Sequence, residues 1–151
     1  MIMTPEVIGA LLAAVIGLLG YAVGRQQAQT ERLRLRHELY DRRMKLFRGV
    51  MELLSHILRE GKVDLPQIFE FNAATQESYF LFGKDIYEYM RTLHVRAVNL
   101  RSVGQKLAQG NLPVGEERSR LAHEDGELLK WFGDQFDVAR EKFAKHMSLA
   151  E

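Results

Sequence analysis

The sequence predicts an all-α chain: an N-terminal transmembrane helix continuing into a cytoplasmic, antiparallel helical bundle of about four helices. Three observations predict it. The stretch from Val7 to Gly24 carries no charged residue. Beyond Tyr40, apolar residues recur at steps of three and four. Strand signals are poor, because the β-branched residues are scattered and no hairpin dipeptide lies between alternating runs.

The 151 residues leave room for one domain of ordinary size after a span is set aside. With 46% hydrophobic residues, 27% charged residues and three prolines, the composition is that of an ordered helical protein rather than a disordered one. A net charge of +1 does not point to nucleic acid, so any argument about partners rests on how charge is distributed. The absence of cysteine removes thiol nucleophiles, disulfides and thiolate metal sites together.

The first element is the span, residues 5–24, preceded by a short extracytoplasmic N-terminus at 1–4. As a helix it covers roughly 30 Å, about one hydrocarbon core. Thr4 suits the N-cap, Pro5 the first helical position and Glu6 the positive end of the helix dipole. A cleaved secretory signal needs a basic leader, and Met1–Glu6 contains no Lys or Arg. Arg25, Arg32, Arg34, Arg36, Arg42, Arg43 and Lys45 follow the run, which places that flank in the cytoplasm by the positive-inside rule. Tyr21, one turn before Arg25, sits where an interfacial ring is expected, so Tyr21, Arg25, Arg32, Arg34 and Arg36 form the expected membrane interface of an inner-membrane, single-pass protein. Gly9, Ala13, Gly17, Gly20 and Gly24 fall on one narrow stripe, and small residues on one face let two backbones pack closely in lipid. A homo-oligomer through this seam is one reading; the general frequency of glycine and alanine in membrane helices is the other.

Residues 25–32 have no breaker and no apolar stripe and read as a solvated helical stalk. The bundle is expected over 33–151. Its first helix carries Tyr40, Met44, Phe47, Met51, Leu54 and Leu58 at alternating steps, the seam of one helix lying along another, as in a coiled coil. Leu46, Val50, Leu53 and Ile57 widen that face and favour a bundle. Gly61 supplies a left-handed C-terminal position, and Asp64-Leu65-Pro66-Gln67 supplies a cap, a first-turn proline and a box-like glutamine. The second helix runs through Phe69, Ala73, Tyr79, Phe80 and Phe82 to Gly83. Lys84-Asp85 then opens a third helix, with Glu88 placed to reach back to the cap, and the short turn makes the two antiparallel neighbours. The third helix presents Ile86, Met90, Leu93, Ala97, Leu100 and Leu107 and ends at Gly110. After the longest loop, with Pro113 and Gly115, the last helix buries Leu121, Leu128, Phe132, Phe136, Ala139, Phe143 and Met147. Gly126 and Gly133 mark either close helix contacts or a break into two pieces.

Reaction-bearing motifs are missing. The glycines are dispersed and no strand precedes them, so there is no phosphate-binding loop. Ser55 and His56 are neighbours about 100° apart on a helix and form no nucleophile-base contact. None of His37, His56, His94, His123 and His146 lies in a helical metal-ligand pattern, and Glu52 with His56 reads as a surface pair. Glu124, Asp125, Glu127, Asp134 and Asp137 read as a solvated face, since an acid-base dyad needs two carboxylates fixed in a cleft. No cofactor or metal is implied. Of the aromatic cluster around Gly83, the phenylalanines are expected in the core, and Tyr87 and Tyr89 are left as a possible contact surface. Acidic residues among the arginines, and no interleaved aromatics before Tyr40, argue against nucleic acid.

The segment Phe71-Asn72-Ala73-Ala74-Thr75-Gln76-Glu77-Ser78-Tyr79-Phe80-Leu81-Phe82-Gly83-Lys84-Asp85-Ile86, with the upstream Tyr40-Asp41-Arg42-Arg43, resembles a group of small bacterial membrane-anchored helical proteins. The likeness covers most of the soluble part. That group has no assigned activity or catalytic residues, so the resemblance implies a bacterial origin and an anchored architecture and no mechanism. The leading expectation is a non-enzymatic, membrane-tethered adaptor with an unknown cytoplasmic protein partner. An oligomerising, membrane-perturbing effector is the alternative, and an enzyme whose site assembles from several helices is the third reading.

Overall fold

A computed structural model describes the backbone at 5–109 and 114–147, with side chains described there except at 5–8, 11 and 28. Four helices follow one another: α1 (Pro5–Glu60), α2 (Leu65–Phe82), α3 (Lys84–Ala108) and α4 (Glu116–Ala144). No strand occurs among the described residues. The expected N-terminal tail, the Thr4 cap, the stop at Gly110 and the Pro113 loop lie outside them. The chain divides into two units, Met1–Leu39 and Tyr40–Glu151.

In the first unit every described side chain from Gly9 to Leu39 is exposed. Among the described residues no helix is long and apolar enough to cross a membrane. Val7, Ile8 and Leu11 belong to the uncharged run, and their side chains are outside the described set, so the described part is shorter than the run in the sequence.

The second unit is the bundle, and it begins at Tyr40, later than the residue 33 boundary expected from the sequence. The reason is burial: Leu33, Leu35 and Leu39 are exposed, and the first buried side chain is Leu46. Pairwise contacts set the directions. Phe47 packs against Phe143, while the Cδ1 of Leu58 lies 3.9 Å from where a Cβ on Gly133 would sit, so α1 and α4 run antiparallel. Asp85 meets His146 and Arg96 meets Trp131, so α3 and α4 run antiparallel as well. Between α2 and α3 there is one residue, Gly83 at φ 87°, which a side chain would strain; Tyr79 and Tyr87 face each other across it.

Termination follows the expected chemistry at α1, where Gly61 (φ 66°) donates its N–H to the Ile57 carbonyl at 2.8 Å. Before α2, Gln67 Oε1 accepts from the Asp64 backbone N–H at 3.0 Å, with Pro66 in the first turn. The start of α3 differs from expectation. Gly83 is the N-cap with no side-chain bond, Glu88 pairs with Arg91 at 3.6 Å instead of reaching back, and Asp85 turns to His146.

The core is one cluster drawn from all four helices, centred on Val50, Leu54, Ile57, Ile86, Met90, Leu93, Phe132 and Phe143. Fully burying each such side chain contributes about 1.5–3 kcal/mol before chain entropy is set against it. On α1 the buried stripe is Leu46, Val50, Leu53, Leu54 and Ile57, while Met44, Phe47 and Met51 are half-buried and Leu58 is exposed. The widening residues, joined by Leu54 alone of the alternating seam, therefore face the core. The third helix is as expected, except that Leu107 is only half-buried and Tyr89 and Val103 join the core. In α4, Phe136 and Met147 are half-buried and Gln135 is buried. The helix α4 is unbroken at Gly126 and Gly133, and a Cβ on Gly126 would meet nothing within 4 Å.

The largest departure is α2. Its buried stripe is Ile68, Phe71, Thr75, Ser78 and Phe82, at steps of three and four. Phe69 (65% exposed) and Phe80 (86%), expected in the core, face solvent, as do Ala73 and Tyr79. Thr75 and Ser78 are tolerated inside because their hydroxyls donate to carbonyls of their own helix, Phe71 O at 2.8 Å and Thr75 O at 2.6 Å.

Candidate interaction surfaces

The glycine stripe of the first unit packs against no other described residue. A Cβ on Gly9, Gly17, Gly20 or Gly24 would meet nothing within 4 Å. Ala13 is exposed beside them. At the end of the uncharged run the Arg25 guanidinium lies 5.9 Å from the Tyr21 ring centroid, a contact available because the two are one turn apart. Arg32, Arg34 and Arg36 are exposed, as are Leu33 and Leu35 between them.

In the bundle, one junction ties all four helices. Arg43 of α1 donates from Nε to the Leu81 carbonyl at 3.0 Å and from an Nη to the His146 carbonyl at 2.8 Å. Its guanidinium lies 5.5 Å from the Phe82 ring centroid. Phe82 meets Phe143 edge-on at 4.9 Å, and the His146 ring at 5.7 Å. His146 Nε2 and Asp85 Oδ2 are 2.8 Å apart, closing the junction onto α3. That hydrogen bond from His146 holds the Asp85 carboxyl below its ordinary range, against a smaller opposing effect of burial. Sequence reading missed the junction because its partners are 38 and 103 residues apart and no local spacing marks them.

Between α3 and α4 lies an open groove of roughly 660 Å³ lined by Glu88, Arg91, Arg96, Glu124, Glu127 and Trp131, among others. Arg96 stacks over Trp131 at 4.2 Å and occupies the aromatic face that a ligand would use. Carboxylates and guanidiniums are mixed across the groove, with Glu88, Glu124 and Glu127 against Arg91 and Arg96, so no strong single-sign field recruits a ligand. Glu124, Glu127, Asp134 and Asp137 are exposed, and Asp125 is half-buried, which raises its carboxyl above the ordinary range.

The two tyrosines separate. Tyr89 is core, 7% exposed, with its hydroxyl directed at the Gln135 carbonyl at 3.4 Å, and burial pushes its phenol well above the ordinary range. It is not a contact surface. Tyr87 is half-buried and meets Tyr79 edge-on at 5.6 Å. The exposed aromatic surface is instead on α2, where Leu65, Phe69, Ala73 and Phe80 share a stripe with Tyr79 beside it. Its signal in the sequence is a second apolar stripe at steps of four and seven, parallel to the buried one.

Side chains of chemical interest are dispersed. Nε2 of His56 and Nδ1 of His94 are buried with no hydrogen-bond partner, and the expected Glu52 and His56 pair is not formed. Ser55 is exposed on the far side of its turn. Among the described residues, no group of three or more metal-ligand side chains comes together. No family model, curated protein or solved structure matches this chain.

Proposed function

We propose that the chain is a membrane-tethered helical interaction module. The α1 helix inserts its uncharged N-terminal run in the bilayer with the N-terminus outside, and the unit Tyr40–Glu151 lies in the cytoplasm and offers a surface to a protein partner. The observation that carries this is the uninterrupted run Val7–Gly24 followed by Arg25, Arg32, Arg34 and Arg36, because hydrocarbon favours the first and a cytoplasmic flank the second. Open space at each glycine of the stripe supports association of copies through the span, since no described residue of the chain packs against the small side chains. The bundle adds a closed apolar core and one outer face that remains aromatic. This architecture agrees with the small anchored bacterial proteins that Phe71–Ile86 resembles.

Topology is testable cleanly because the chain has no cysteine. Thr4→Cys and Arg59→Cys variants, treated in spheroplasts with a membrane-impermeant maleimide, are expected to label at Cys-substituted position 4 only, and at both after lysis. Labelling of both in intact spheroplasts contradicts the orientation. Purification of the full chain from its native membrane is expected to bring a partner with it; recovery of the protein alone, as a monomer, overturns the adaptor reading.

A further inference from the structure

The four helices of the bundle do not have equivalent outer faces. Along α1 the exposed positions from Asp41 to Arg59 are mostly polar (Asp41, Arg42, Lys45, Arg48, Glu52, Ser55), and those of α4 are polar or small. The outer face of α2 carries Leu65, Phe69, Ala73 and Phe80, with Phe80 the most exposed aromatic ring described. Its only charges are Glu70 and Glu77, and Leu65–Phe82 contains no Lys or Arg. An aromatic stripe edged along the helix by carboxylates, with Lys62 and Lys84 only at its two ends, is an uncovered face that selects a partner by sign.

An anionic bilayer is a poor occupant, because it repels Glu70 and Glu77 and α2 brings no cation to it. Pairing with the same face of a second copy sets those carboxylates against their equivalents. The complementary surface is an apolar helix edged by cations. This chain contains one in α1: Leu35 (61% exposed) and Leu39 (39%) lie one turn apart on one face, and the exposed Arg32 and Arg36 run along its edge.

We propose that the α2 face of one copy docks on the arginine- and leucine-bearing segment 32–39 of α1 in a second copy. Leucines cover the aromatic stripe, and the arginines meet Glu70 and Glu77. The contact joins two different surfaces, so a docked pair retains one free α2 face and one free segment, and assembly continues beyond a dimer. The inference rests on the proposed tethering in one respect, that copies in one membrane meet at raised effective concentration.

The test uses full-length protein in liposomes, prepared as an equal mixture of ¹⁴N- and ¹⁵N-labelled chains, with photo-reactive benzoylphenylalanine replacing Phe80. Illumination and mass spectrometry are expected to give heavy-light cross-linked peptides joining position 80 to residues 32–39. Phe69→Asp in the same background is expected to lower that yield roughly fivefold or more, as loss of an aromatic anchor does. Its thermal midpoint stays unchanged because the side chain is exposed. Cross-links only within one chain, only to lipid, or only between two α2 helices overturn the proposal, as does an unchanged yield in Phe69→Asp. Alkaline extraction of the same liposomes tests the tether separately. Heavy-light pairs from protein that washes off overturn the tether and leave the docking standing; their absence from protein that stays bound does the reverse.

Discussion

Arg43 is the residue whose loss should be felt furthest, because its guanidinium satisfies two main-chain carbonyls from α2 and the end of α4 while stacking on Phe82. Arg43→Ala removes both donors, and chemical denaturation should register a loss of about 1–3 kcal/mol. Arg43→Lys should recover little, since an ammonium cannot reproduce the fork that reaches both oxygens. Asp85 makes a different kind of prediction. A carboxylate whose pKa is depressed on folding adds stability above its unfolded pKa and loses it as pH falls through the folded value. Asp85→Asn should therefore cost something near neutrality, no more than about 1 kcal/mol because the pair is largely solvent-exposed and screened. The difference from the parent should vanish once acid protonates Asp85. Urea melts of both proteins along the acid limb check this, and an equal gap at every pH contradicts the pairing.

The α2 helix holds the clearest lesson of the elements. Exchanging its two faces in a hydropathy reading costs nothing, because both repeat at helical spacing, and the outer one is richer in rings. Inside, Thr75 and Ser78 spend their hydroxyls on carbonyls of their own helix, a local solution that a count of apolar residues does not register. Paired substitutions make the assignment measurable. Phe82→Ala should destabilise by about 3–5 kcal/mol, whereas Phe80→Ser should stay within about 0.5 kcal/mol of the parent in the same denaturation assay. Equal effects would mean the helix is turned the other way. The α4 helix gives a stabilising case: Gly126 is an interior helical position with open space for a methyl group. Gly126→Ala should add about 0.5–1 kcal/mol, read as a raised thermal midpoint. The helix count, the stops at Gly61 and Gly83 and the α3 stripe were legible in the sequence because local rules govern them. The core stripe of α1 was legible only in part, since whether Leu46 or Met44 points inward depends on where α2 and α4 lie. Tyr89 belongs to the same class: its burial comes from α4 and not from its own neighbours.

At the scale of the molecule the chain joins a bundle with a finished core to a stretch of helix whose described side chains have no protein to cover them. Leucines, isoleucines and valines left bare along such a length are costly in water, at about 25 cal/mol per Å² of apolar surface. In the proposed tethering, lipid removes that cost and the arginines that follow set the side on which the bundle lies. The surfaces left for partners are then few: the glycine stripe of the uncharged run, the basic segment behind it and the acid-edged aromatic face of α2. The most direct measurement is an alkaline carbonate wash of membranes from cells expressing the full chain, followed by the intact mass of the protein. The chain should stay in the membrane pellet at its full 17.4 kDa. Release into the wash, or a mature protein lacking the residues before Arg25, would contradict it.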